Sequence, residues 1–277
     1  MNNLLALILC FAFLEVSASS DKVLTMVYKP VAKAPYIMEY PDNSGLYLDM
    51  LKEATEKIGF RLKVIRVPKA RSYKMLKDGT ADLYASGEYN PQRAKFLYYT
   101  PNGLHRSEIH QCITAPGIPE LNSIQEVKKH HLVWHIERGS SWVLRAMRLN
   151  VKATQIISIN IETAIKFFRS ERPAVFTILK KDIDKYISTY PRAGIDFKVH
   201  RNCKFVKDKE LYTGFSRSSK YYAEVKNENY DKQIALGAKN LPYRPSTTSV
   251  ASKLSASLQE MISSGGIDKL KKKYNIK

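Results

Sequence analysis

DLYASGEYNPQRAKFLYYT, residues Asp82 to Thr100, is the stretch from which the fold can be read. A short apolar β run, Leu83-Tyr84-Ala85, stops at Ser86-Gly87. A polar loop with one acid, Glu88, follows, and then a helix-like turn that carries Arg93. This sets a guanidinium just beyond the carboxyl end of a strand, where open α/β sheets bind their ligands. Its planar fork of five donors matches a carboxylate, so Arg93 is the first candidate for gripping a small acid. The bland alternative is a solvated arginine on a surface helix.

Outward from that stretch, strands and helices alternate. Upstream, Val23–Tyr28 reads as a strand, followed by a Pro-punctuated loop from Pro30 to Pro35. From Gly45 a helix repeats Tyr47, Leu51, Ala54 and Ile58 at intervals of three to four, closing at Gly59. Arg61–Val67 is β-like, Ala70–Lys77 is a short helix capped by Gly79, and Ala81–Ala85 is the strand already met. Such alternation predicts parallel strands with right-handed crossovers. Downstream, Glu108–Ala115 reads as a strand, and Pro116-Gly117-Ile118-Pro119 is where the chain is expected to cross to a second unit.

That unit repeats the pattern. Ser123–Lys129, Trp142–Leu149, Ile161–Arg169 and Asp182–Tyr190 read as helices. Leu132–Ile136, Gln155–Ser158, Ala174–Ile178 and Phe197–His200 read as strands. Leu211–Ser216 would carry the chain back, and Ser219–Leu241 is polar and weakly patterned. Val250, Leu254, Leu258 and Ile262 mark an amphipathic helix, and a basic helix, Ile267–Tyr274, follows Ser264-Gly265-Gly266.

A chain of 277 residues suits two lobes better than one core. The apolar run Leu4–Leu14 is too short to span a bilayer and precedes Val16-Ser17-Ala18, so residues 1–18 are expected to be a secretory signal. Its n-region departs from the usual signal in having no Lys or Arg; Cys10 follows Leu9 rather than a small residue, which makes a lipid anchor the less favoured alternative. The expectation is a soluble exported protein of the periplasm. Export would place Cys112 and Cys203 in an oxidising compartment, where a bridge or two buried thiols are both open.

The net charge of +19 favours anionic partners. The basic residues are spread along the chain, with one cluster at Lys269 to Lys273. No RNA-binding aromatic box, zinc-finger spacing or basic heptad is present, so nucleic acid is not the expected partner. Five of the six histidines lie between His105 and His135, but no HExxH acid accompanies them. His131 and His135 fall on what reads as a strand, and no metal or other cofactor is expected. Without a Gly-x-Ser-x-Gly elbow or a base beside either cysteine, nucleophilic catalysis is not expected.

These elements, in this order, resemble the type 2 periplasmic solute-binding proteins, particularly the family 3, amino-acid-binding branch. The likeness covers nearly all of the mature chain. It rests on Ala34-Pro35-Tyr36, Gly45 to Leu51, Leu76 to Asp82, Asn90-Pro91-Gln92-Arg93-Ala94-Lys95 and the tail Leu258 to Tyr274. The resemblance implies an α/β clamshell: two lobes joined by two crossover strands, with ligand in the cleft. Lobe 1 would take residues 19–110 and 212–277, and lobe 2 residues 111–211. Hinges are expected at Glu108–Ala115 and Leu211–Ser216.

By the same resemblance, Arg93 matches the arginine that holds a ligand carboxylate, and Gly139-Ser140-Ser141 matches a donor turn at a helix N-terminus. Tyr36 falls near an aromatic wall and Arg71 at a cleft-facing arginine. Ser86 and Glu88 lie in a segment one residue shorter than the family pattern. Departures concern the ammonium half of an amino-acid site. Ile178 stands where an acid usually does, Asp182 lies four residues on, and Lys33 replaces a stacking aromatic. Glu88 is the candidate replacement anion.

The function this implies is clamping of a small, carboxylate-bearing solute by a monomer that delivers it to a membrane permease of ABC type. The alternatives are a periplasmic receptor for a separate sensor, and a cyclic-carboxylate dehydratase with Glu88 as acid or base. A non-enzyme is the expectation.

Overall fold

The computed structural model describes residues 22–101, 103–192 and 195–276; the expected signal, residues 1–18, lies outside them. The chain opens with β1 (Val23–Tyr28), α1 (Leu46–Lys57), β2 (Arg61–Arg66), α2 (Lys69–Lys77) and β3 (Leu83–Gly87). A single-turn helix α3 (Pro91–Ala94) and β4 (Leu97–Tyr99) complete the first run. β1 lies between β2 and β3, parallel to both, as strand–helix alternation requires. Tyr47, Met50, Leu51 and Ala54 of α1 are buried in the core that Leu24, Met26 and Leu83 supply from the sheet.

Asp82, at the head of the decisive stretch, is buried. Its carboxylate accepts the Thr25 amide at 2.8 Å and the Ser219 hydroxyl at 2.5 Å. A buried carboxylate is tolerated only when so bonded, and this one pins β1, β3 and the returning chain together.

The chain then runs through β5 (Leu104–Thr114), a 3-10 turn (Ile124–Val127), β6 (Val133–Glu137), α4 (Trp142–Arg148) and β7 (Ala153–Ile156). It continues through α5 (Ile161–Arg169), β8 (Ala174–Leu179), α6 (Lys180–Thr189) and β9 (Lys198–Ser216). The return to lobe 1 adds β10 (Glu224–Lys226), β11 (Tyr243–Pro245), α7 (Val250–Ser263) and α8 (Gly266–Lys273). Strand order is β2-β1-β3-β9-β5-β8-β6-β7, with β4 also on β9. β9 and β5 therefore belong to both lobes.

In lobe 2, residues adjacent in sequence alternate across the sheet. Cys112, Trp134 and Val175 face one core, while Ile113, Phe176 and Ile178 face the other. Elements cover both faces, as in buried α/β sheets. Cys112 and Cys203 are bridged, which resolves the alternatives left by the sequence. The bridge sits where the β5–β9 register shifts between Gln111 and Cys112, at the entrance to lobe 2.

Four expectations need correction. The crossing is not at Pro116–Pro119: Thr114 already pairs with Val175 of β8, and Ile118 packs on the lobe 2 core. The two short runs Phe197–His200 and Leu211–Ser216 belong to one strand of 19 residues, β9. Its middle carries a charged sequence because the ribbon between lobes has solvent to face, and Val206 is left 63% exposed there. Ser123–Lys129 is only a 3-10 turn, and His131 lies in a turn at φ 53° rather than on β6.

Candidate functional site

A cleft of about 750 Å³ runs between the lobes. The decisive stretch builds one side of it. β3 ends at Gly87, and Asn90 caps α3 by accepting the Arg93 amide at 3.0 Å. Pro91 at the first helical position fits that cap. Arg93 is thereby aimed across the opening. Its Nη2 donates to the Gly139 carbonyl of lobe 2 at 2.7 Å, and its Cζ lies 4.2 Å from the Tyr73 ring centre.

Gly139 sits at φ +82°, and a Cβ there would lie 3.3 Å from the Ala70 amide nitrogen. Both the left-handed backbone and the close approach of α2 favour glycine. Ser140 and Ser141 line the cleft behind it. The Ser140 hydroxyl accepts the Trp142 amide at 3.3 Å, whereas the Ser141 side chain makes no cap bond.

A second cluster lies on the crossing strand. Arg106 and Glu108 are two residues apart on β5, hence on one face. Lys33 Nζ approaches Glu108 at 2.9 Å and Arg106 Nε approaches it at 3.1 Å; Arg106 also bonds the Tyr47 hydroxyl. The side chains of Lys33, Arg106 and Glu108 are only 14%, 11% and 10% exposed. Burial, with Arg106 nearby, brings the Lys33 ammonium down to about 7 despite Glu108. Burial alone would raise the Glu108 carboxyl, but Lys33 and Arg106 hold it below the usual range.

A third cluster bridges the lobes. Glu137, at the end of β6, meets Lys69 at 3.3 Å and Lys29 at 3.7 Å. Burial opposes ionisation of Glu137, yet the two lysines keep its carboxyl low; burial also lowers Lys29. From α6, Lys181 donates to the Ala34 carbonyl at 2.6 Å and lies 5.3 Å from the Tyr36 ring centre. Beside it Asp182 is raised by loss of water at the cleft mouth.

The cleft thus brings together Arg93, Ser140, Ser141, Glu88 and Ser86 of the expected set. Tyr36 is set back from it, tilted against Tyr47 with ring centres 5.3 Å apart, and Arg106 lies 5.0 Å from its ring centre. Arg71 is not in the cleft. On α2 the residues four apart, Lys69 and Tyr73, face it, which turns Arg71 outward to solvent. Glu88 pairs with Lys209 at 3.3 Å, an ion pair that competes with any role toward a ligand amine or as a dehydratase acid. Sequence reasoning missed Lys29, Lys69, Arg106, Glu108 and Glu137. The signal available was two charges spaced by two within a strand that had to pass between lobes.

Comparison with known proteins agrees with this architecture. The family model for bacterial extracellular solute-binding proteins, family 3, matches residues 28–277. No curated protein matches by sequence. Among solved structures, an ancestral arginine-binding protein bound to arginine aligns with TM-score 0.62 at 15% identity, covering 91% of this chain and 97% of that one. An arginine-, lysine- and histidine-binding protein from Geobacillus stearothermophilus aligns with TM-score 0.61 at 13% identity, covering 92% and 95%. An ancestral amino-acid-binding protein described as a precursor of cyclohexadienyl dehydratase gives TM-score 0.59 at 14% identity, covering 91% and 95%. At these identities the likeness speaks to the fold.

Proposed function

The chain belongs to the bacterial extracellular solute-binding proteins, family 3, and from that premise we propose that it is exported, clamps a small carboxylate-bearing solute between its lobes and delivers it to a membrane permease of ABC type. The observation that carries this reading is Arg93 of lobe 1 reaching the Gly139-Ser140-Ser141 turn of lobe 2 across the cleft. A carboxylate entering there would meet a guanidinium from one lobe and hydroxyl donors from the other. A solute bridging the two binds the closed form better than the open one, and that difference drives closure. The ribbon of β5 and β9 is the hinge, since both strands are shared by the lobes.

The test is calorimetry on the purified protein against the common amino acids and small carboxylic acids. At least one acid should bind, and Arg93→Ala should weaken it by ten- to hundred-fold, the worth of a charge-assisted hydrogen bond of ~1.5–3 kcal/mol. If Arg93→Ala leaves the affinity of every hit unchanged, the carboxylate site is elsewhere.

A further inference from the structure

Positive charge on the cleft floor exceeds the negative charge that neutralises it. Lys33 and Arg106 share the single carboxylate of Glu108, and Lys29 and Lys69 share that of Glu137. Among the described contacts, Arg93 has two neutral partners, a carbonyl and a ring face. The other acids stand at the mouth: Glu39, Glu162 and Asp182 are exposed, and Glu88 is drawn to Lys209. Water and salt screen Glu39 and Glu162, whereas the floor groups are screened far less; Asp182 is felt by Lys33 and Lys29, but loss of water raises its carboxyl toward the neutral form. We infer that Lys33 and Arg106 form a second anion-binding subsite in the cleft that Arg93 opens, so that the solute is an acid with two anionic ends, a dicarboxylate in the simplest case. This rests on the proposed solute-binding role of the cleft.

The space between the two ends supports the same conclusion. Arg93 lies on Tyr73; Tyr73 is 5.1 Å from Tyr84, Tyr84 6.0 Å from Tyr28, and Tyr28 6.0 Å from Tyr47, whose hydroxyl Arg106 holds. Tyr28, Tyr73 and Tyr84 all line the cleft. A row of rings with a cation at each end fits a solute with an apolar middle and a carboxylate at each end. An ammonium would fare worse. Each floor carboxylate already serves two cations, and the lobe 2 wall there presents Thr177 and Ile178.

The experiment is calorimetry on the purified protein with unbranched dicarboxylates from succinate to suberate, each beside the monocarboxylate of equal length, and with glutamine. One dicarboxylate should bind at least tenfold more tightly than its monocarboxylate and than glutamine. Lys33→Met should cut that advantage to under threefold. Glu108→Gln removes the competing carboxylate and should raise dicarboxylate affinity, which a merely damaged fold would not do. Equal binding of mono- and dicarboxylates, or an advantage that survives Lys33→Met, overturns the second subsite and leaves the solute-binding role standing. If glutamine and the other amino acids bind and no dicarboxylate does, the subsite likewise falls. If no acid of either kind binds, both readings fall.

Discussion

Lys33 offers a quantitative test because its proton should report the arrival of the solute. In the empty cleft its ammonium sits at about 7, lowered first by burial and then by Arg106. Around it stand Arg106 and Glu108 on β5, Lys29 at the end of β1, and Lys181 with Asp182 on α6. A second carboxylate from a bound dianion offsets the cationic excess and restores the group toward its ordinary value of about 10.4. The bound protein then holds more protons than the empty one between about pH 7 and 10. By linkage, binding takes up a proton in that window and weakens as pH rises through it.

The size follows from the shift. At pH 7 about half a proton should be taken up and at pH 8 about nine-tenths, with only about a tenth at pH 6. Affinity should change little near pH 6 and fall about tenfold per unit above 7. By pH 9 the loss is about hundredfold, or ~2.7 kcal/mol at 1.36 kcal/mol per unit. The assay is calorimetry of the best dicarboxylate in buffers of different ionisation enthalpy, from pH 6 to 9, where the probe's own acids stay ionised. Lys33→Met should remove most of the uptake, isolating it from the lysines at 29 and 181, which burial also lowers. Proton release, or uptake unchanged in Lys33→Met, refutes the reasoning.

Further outcomes test the frame around the site. Reducing the Cys112–Cys203 bridge frees a loop of 91 residues, worth ~4–5 kcal/mol by chain entropy. Both tryptophans, Trp134 and Trp142, belong to lobe 2. The fluorescence-detected urea transition should therefore drop by about 2 M at an m-value of ~2 kcal/mol/M, with the lobe 1 part of the circular dichroism change less affected. Gly139→Ala forces a left-handed φ on a residue with a Cβ and crowds Ala70, so ligand affinity should fall about five- to thirty-fold, the equivalent of ~1–2 kcal/mol of strain, in the same calorimetric assay. Arg71→Ala should leave that affinity within twofold, since its side chain points to solvent, whereas Lys69→Ala two positions away should change it.

Much of the fold was legible because local and long-range signals agreed. The strand Val23–Tyr28 and the helix Ile161–Arg169 have the bounds that periodicity assigns. In the helix, Ile161, Ala164, Ile165 and Phe168 recur at helical spacing because one face must be buried. Sequence patterning splits β9 because the alternation of buried Cys203 and Phe205 with exposed Lys204 and Val206 gives way to the exposed Asp208, Lys209 and Glu210. A strand held by a ladder to β5 over a solvent-facing ribbon leaves almost no trace in hydropathy. The bridge between Cys112 and Cys203 was similarly undetermined, since spacing carries no record of two strands 91 residues apart lying side by side.

The candidate site divides along the same line. Arg93 could be found because its own neighbours announce it: a strand end, an Asn cap, a proline and one helical turn. Arg71 was misplaced because its helix had no fixed phase until Ser72 and Leu76 were seen to be buried. That phase turns Lys69 and Tyr73 inward instead. Lys29, Lys69, Arg106, Glu108 and Glu137 come from four separate segments, and each looks like an ordinary surface charge in its own stretch. Only the sheet, which passes β5 between the lobes and ends β1 and β6 at the same opening, makes one cluster of them. The placing of Arg93 at the cleft is a local feature of the chain, whereas the charge balance of the cleft depends on topology. It is this second property that decides between a solute with an ammonium and one with a second acid.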